Sequence, residues 1–163
     1  MSASDSTRQF GSISPQNEWA DILRAVAIET FATMVGVSVV APDQEEVRVL
    51  AEVTGMVGIA GHVKAVFSLR CSQRSAITLS SQMLGVSLEE AAALKNDAVG
   101  EVCNIIAGCF KSKIGLGELC SLSVPTVLSG TDYQIHSPGR TWHLGLPLLY
   151  ENESIWIGLD IRI

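Results

Sequence analysis

No stretch of this 163-residue chain approaches the roughly 18 to 20 uninterrupted apolar residues that a bilayer-spanning helix requires. Membrane insertion is therefore not the meaning of its apolar composition, 47% hydrophobic against 17% charged, with a mean hydropathy of +0.32. The apolar surplus points instead to a buried subunit interface. No Lys/Arg cluster occurs and the net charge is -6, so neither a nucleic-acid groove nor an anionic membrane surface is indicated as partner. The opening residues, Met1 to Arg8, are polar and lack the apolar segment of a secretory signal, which makes a cytoplasmic location with reduced thiols the expectation.

Other absences narrow the chemistry. The four cysteines, Cys71, Cys103, Cys109 and Cys120, form no C-x-x-C pair, and the three histidines stand at no zinc-ligand spacing from them. Buried free thiols are the reading that follows, although Cys103 keeps open a cysteine-nucleophile alternative that needs a histidine brought close by the fold. The glycine-rich run Gly55 to Gly61 is followed by no Lys-Ser/Thr and no helix start, both of which a phosphate-cradling P-loop requires. No Asp/Glu cluster suited to Mg²⁺ is evident, so no metal site is assigned to the chain itself.

What is present reads as a leader, residues 1–13, expected to be disordered, and one domain over 14–163. Ser14-Pro15 has the pattern of an N-cap followed by proline at the first helical position, and the spacing predicts a helix from about Gln16 to Met34 ended by Gly36. Strands are predicted over Glu46 to Thr54 and His62 to Leu69, joined as a hairpin through Gly55 to Gly61. Ser72 to Leu84 is a second helix closed by Gly85, and the capping box Ser87-Leu-Glu-Glu90 opens a third that runs to about Lys113. The chain then turns to strands: Ser123 to Gly130 leading into Tyr133 to His136, followed by Thr141 to Tyr150 and Ser154 to Ile163 as an antiparallel hairpin. Strands grouped on either side of helices argue for an α+β fold, a largely antiparallel sheet packed against long helices. Ala27-Ile-Glu-Thr-Phe-Ala-Thr-Met-Val-Gly36 echoes Val99-Gly-Glu-Val-Cys-Asn-Ile-Ile-Ala-Gly108, an internal pseudo-repeat in which Glu29 matches Glu101 and Ala32 stands where Asn104 does.

The third helix carries the candidate chemistry. Glu101 and Asn104, three residues apart, share a helix face with Asp97 and Lys111, while Val99, Val102, Ile105, Ile106 and Cys109 form an apolar stripe. This is the only Glu-x-x-Asn in the chain, and Gly100 and Gly108 beside it each cost roughly 1 kcal/mol relative to Ala in a helix interior, a cost that close packing or docking would offset. A carboxylate and an amide with no Ser, Lys or His in the motif are poorly suited to nucleophilic catalysis. They suit positioning: an amide holds an attacking water by accepting from it and donating to it, as a GTPase glutamine does. The plain alternative is a solvated helix face.

Several segments in order resemble the CheC/CheX family of bacterial chemotaxis phosphatases, most closely its CheX members: Ile28 to Gly36, Gly58 to Ser68, Met83-Leu-Gly85, Asp97 to Gly108, and Pro125 to Gly130. The resemblance implies a protein-aspartyl-phosphate phosphatase acting on a CheY-like response regulator, with the Glu-x-x-Asn helix inserted into the regulator's active site. It implies that Glu101 pairs with the regulator's active-site lysine, that Asn104 orients the hydrolytic water, and that Mg²⁺ is the regulator's own. It also implies a homodimer formed through the sheets. CheC-like members carry the motif in each half, whereas Ala32 replaces the first amide here, so one site per subunit is expected, with Glu29 structural. The alternative is a non-catalytic regulator-binding module related to the flagellar switch proteins.

Overall fold

The computed structural model describes residues 15–43 and 47–163; the expected leader and the Ser14 cap lie outside them. Helix α1 (Pro15–Thr30) widens into a single π-helical turn, Phe31–Val35, where the Gly36 amide donates to the Phe31 carbonyl and Gly36 takes a left-handed φ of 80°. Helix α2 (Gln73–Leu84) is capped by Ser72, whose side chain accepts from the Ser75 amide, and ends at Gly85 with φ 66°. Helix α3 (Leu88–Lys113) begins at Ser87, which accepts from the Glu90 amide. These polar caps satisfy backbone donors that a helix start otherwise leaves unpaired.

Among the described residues six strands make one antiparallel sheet: β1 (Val53–Gly61), β2 (Ala65–Cys71), β3 (Cys120–Leu122), β4 (Thr126–Ser129), β5 (Thr141–Tyr150) and β6 (Glu153–Arg162). The order is β3-β1-β2-β6-β5, with β4 also paired to β1. The α+β expectation therefore holds. Each long helix is followed by a hairpin, α1 by β1–β2 and α3 by β5–β6, and the two hairpins meet in the middle of the sheet through β2 and β6.

Details differ from the sequence reading. The glycine-punctuated run is not the hairpin turn but the body of β1, paired Val53↔Cys71 through Ile59↔Ala65, and the turn falls at His62 to Lys64. The strand expected over Glu46 to Thr54 begins only at Val53; residues 44–46 lie outside the described residues, and Val47 to Glu52 are not strand. Tyr133 to His136 does not form a strand; the Tyr133 phenol and the Thr54 hydroxyl share a 2.5 Å hydrogen bond.

One face of the sheet is apolar. Val53, Val57, Phe67, Leu69, Ile157, Leu159, Leu146 and Leu148 alternate along their strands and are buried against Leu23, Phe31, Val102, Ile106 and Phe110 of the helices. Burial of each such side chain contributes about 1.5–3 kcal/mol. The hairpin tip β5–β6 is fastened to α2: the hydroxyls of Ser72 and Ser75 both donate to Glu153 Oε2, the latter at 2.6 Å. Those two hydrogen bonds, assisted by Arg74, hold the Glu153 carboxyl below the usual carboxylate range. No described helix is long and apolar enough to cross a membrane.

Candidate functional site

Helix α3 lies against β1 at unusually short range, and the reason is Gly55. A Cβ there would stand 2.5 Å from the Cys103 sulfur and 2.9 Å from Val99 Cγ1, so only glycine lets the helix settle at this height. The buried stripe of α3 is Val99, Val102, Cys103, Ile106 and Phe110. Cys103, not Cys109, belongs to it, and Cys109 is exposed.

Cys103 is thus a packing residue. It is 0% exposed, burial pushes its thiol well above the ordinary value with the neighbouring Cys71 adding to the effect, and no described histidine hydrogen-bonds it. A thiol held neutral beneath a sheet is not a nucleophile, which removes the cysteine-hydrolase alternative. Burial also raises Cys71, to about 12.

With that stripe facing inward, Asp97 and Glu101 are exposed on the outer side of α3 and Asn104 is half-buried beside them. Neither Glu101 nor Asn104 makes a side-chain hydrogen bond or ion pair with another described residue. Lys111, the fourth member of the polar face, is different: its ammonium donates to the carbonyls of Gly117 and Cys120 at 2.6 and 2.7 Å, anchoring the turn that follows the helix. The polar face therefore divides into one structural cation and a free acid-amide pair.

What stands next to the pair is not visible in the sequence. The segment Val124 to Val127 runs alongside α3, and a Cβ on Gly100 would meet Pro125 Cβ at 3.4 Å and Val127 Cγ2 at 3.5 Å. Between helix and segment is an open groove of about 430 Å³, lined by Asn96, Asp97, Gly100, Glu101, Val124, Pro125 and Val127. The signal was Gly100 itself, since a helix-interior glycine asks for an apposed chain. Gly108 meets Leu122 in the same way, at 3.6 Å. In the first half of the chain, Glu29 and Ala32 are also exposed, but Ala32 supplies no hydrogen-bonding group.

Among the described residues no group of three or more His, Cys, Asp or Glu is arranged to hold a metal ion. What the arrangement offers is an acid and an amide on a rigid helix, free of partners and bordered by a groove.

An antiparallel sheet backed by long helices, one of them presenting this pair, is a fold that solved chemotaxis proteins share. Its structural neighbours agree: CheX from Desulfovibrio desulfuricans superposes with a TM-score of 0.73 at 20% identity over 89% of this chain and 99% of that one. A CheX-CheY-BeF3-Mg²⁺ complex from Borrelia burgdorferi gives 0.73 at 20% identity over 89% and 98%. Thermotoga maritima FliY gives 0.62 at 18% identity over 93% and 92%. No curated protein sequence matches. Residues 53–149 match the family model described as chemotaxis phosphatase CheX, and the chain belongs to that family.

Proposed function

We propose that this protein hydrolyses the aspartyl phosphate of a CheY-like receiver domain, with Glu101 and Asn104 as its contribution to the active site. The observation that carries the reading is the pair itself: two side chains of complementary chemistry on one face of α3, left without partners in a family whose members act as chemotaxis phosphatases. Asn104 accepts a hydrogen bond from the attacking water and donates one to hold it in line with phosphorus. Glu101 pairs with a cation of the receiver and fixes the register of the helix. The proton of the water passes to the phosphoryl oxygens or to solvent, and the receiver's aspartate leaves as carboxylate. Mg²⁺ travels with the receiver.

An acyl phosphate is already labile, so alignment of water is sufficient catalysis, and no covalent intermediate on this chain is required. A homodimer formed through the sheets belongs to the same proposal and accords with the apolar surplus of the composition.

The second reading is a module that binds a receiver without hydrolysing its phosphate. Binding and turnover measured side by side separate the two. Under the phosphatase reading, Asn104→Ala still binds a receiver carrying a stable acyl-phosphate mimic but loses turnover, whereas Glu101→Ala loses both. Wild-type protein that binds the receiver and leaves its phosphate lifetime unchanged establishes the binding module instead.

A further inference from the structure

The groove beside Glu101 has a composition that the hydrolytic chemistry does not require. One wall is apolar, made by Val124, Pro125 and Val127; the other carries the carboxylates of Asp97 and Glu101, one helical turn apart; no Lys, Arg or His lines it. Val124 is 84% exposed, the most exposed large apolar side chain among the described residues. It is not there because its backbone is loose. The adjacent Ser123 is clamped to β1 by two hydrogen bonds: its amide donates to the Gly58 carbonyl at 2.8 Å and its hydroxyl accepts from the Gly58 amide at 2.8 Å, while the same hydroxyl donates to the Val124 carbonyl at 3.1 Å. Gly100 then lets Pro125 and Val127 come into contact range of α3, so the groove has a fixed width.

We infer that Val124 and Asp97 set the affinity for the receiver domain. The occupant is the part of the receiver surface bordering its phosphoryl site, and it brings a cationic side chain whose apolar stem lies along Val124 and Pro125 while its charged head reaches Asp97 and Glu101. This inference rests on the phosphatase reading and extends it from the two reacting-site residues to the surface that selects the partner. The supporting arguments are charge complementarity, two acids and no base, and continuity: Glu101 belongs both to the pair and to the groove, so a receiver engaged by Asn104 also covers Val124. A long side chain with an apolar stem and a charged head matches a groove built with one wall of each kind. Neither residue touches the reacting atoms, so their loss changes the concentration at which the receiver saturates the protein and not the turnover at saturation.

The test is dephosphorylation of a purified phosphorylated receiver, followed over a range of receiver concentrations, with wild type, Val124→Lys, Asp97→Asn and, as charge control, Leu88→Lys. Leu88 is 61% exposed at the start of the same helix and stands about 20 Å along its axis from Glu101. Val124→Lys, which places a cation where the occupant's cation goes, raises the half-saturating concentration by about tenfold with turnover at saturation within twofold of wild type. Asp97→Asn raises it by about threefold, a difference that disappears toward 1 M salt. Leu88→Lys leaves it unchanged. Wild-type half-saturation in Val124→Lys, or an equal effect from Leu88→Lys, overturns the inference while the phosphatase reading stands. A wild-type protein that does not shorten the receiver's phosphate lifetime overturns that reading and this inference with it.

Discussion

Asn104 and Cys103 are neighbours in sequence and opposites in structure. Asn104 spends its amide on no described partner, so its removal leaves no buried group unsatisfied, whereas Cys103 is enclosed between α3 and β1. The sequence suggested chemistry at both; burial decides between them. The same contrast runs through the thiols, since Cys71, Cys103 and Cys120 are buried and Cys109 is exposed. A thiol reagent applied to the native protein is expected to label Cys109 rapidly and the other three only on unfolding, as read by intact mass spectrometry with and without denaturant. Rapid native labelling of Cys103 contradicts the packing described for it.

At the scale of elements, the height of α3 above the sheet depends on Gly55. Gly55→Val forces a side chain into the Cys103 and Val99 contact and is expected to destabilise the fold by about 2 kcal/mol, measured as a lower urea midpoint at unchanged slope. The tie between α2 and the β5–β6 tip gives a pH signature. Glu153 has a depressed pKa, so its stabilising contribution is complete above the ordinary glutamate value of about 4.3 and is lost as pH falls through the folded value. Ser75→Ala removes one of the two hydroxyl donors; it is expected to cost about 1 kcal/mol at pH 7 and less at pH 3, by urea denaturation at both. The helices were legible in the sequence because their ends carry local chemistry: Ser72, Ser87, Gly36 and Gly85 cap where the spacing places them. β1 was not, because its glycines have the look of a turn. Gly55 answers to a helix that arrives from 45 residues later in the chain, and that long-range demand leaves no local mark beyond the period-two run Val53, Val57, Ile59. The groove was hidden for the same reason: Val124 to Val127 reads as a strand, and only the fold sets it beside Gly100.

For the whole molecule, the proposed function makes the acid-amide pair half of an active site, with the receiver bringing the remainder: the aspartyl phosphate, the cation and Mg²⁺. The same proposal expects one such half-site per subunit, since Ala32 occupies the position of the amide in the first helix. The proposed homodimer predicts a solution mass of roughly 35 kDa, twice the 17.4 kDa chain, by light scattering, and a monomer mass at micromolar concentration contradicts it. The lifetime of the phosphoryl group on a phosphorylated receiver, followed in the presence of substoichiometric protein, tests the phosphatase reading. Wild type is expected to shorten the lifetime catalytically, each molecule clearing many receivers, and Asn104→Ala, with wild-type circular dichroism and melting behaviour, to be slower by about a hundredfold. An Asn104→Ala protein that clears the phosphate at the wild-type rate contradicts that reading.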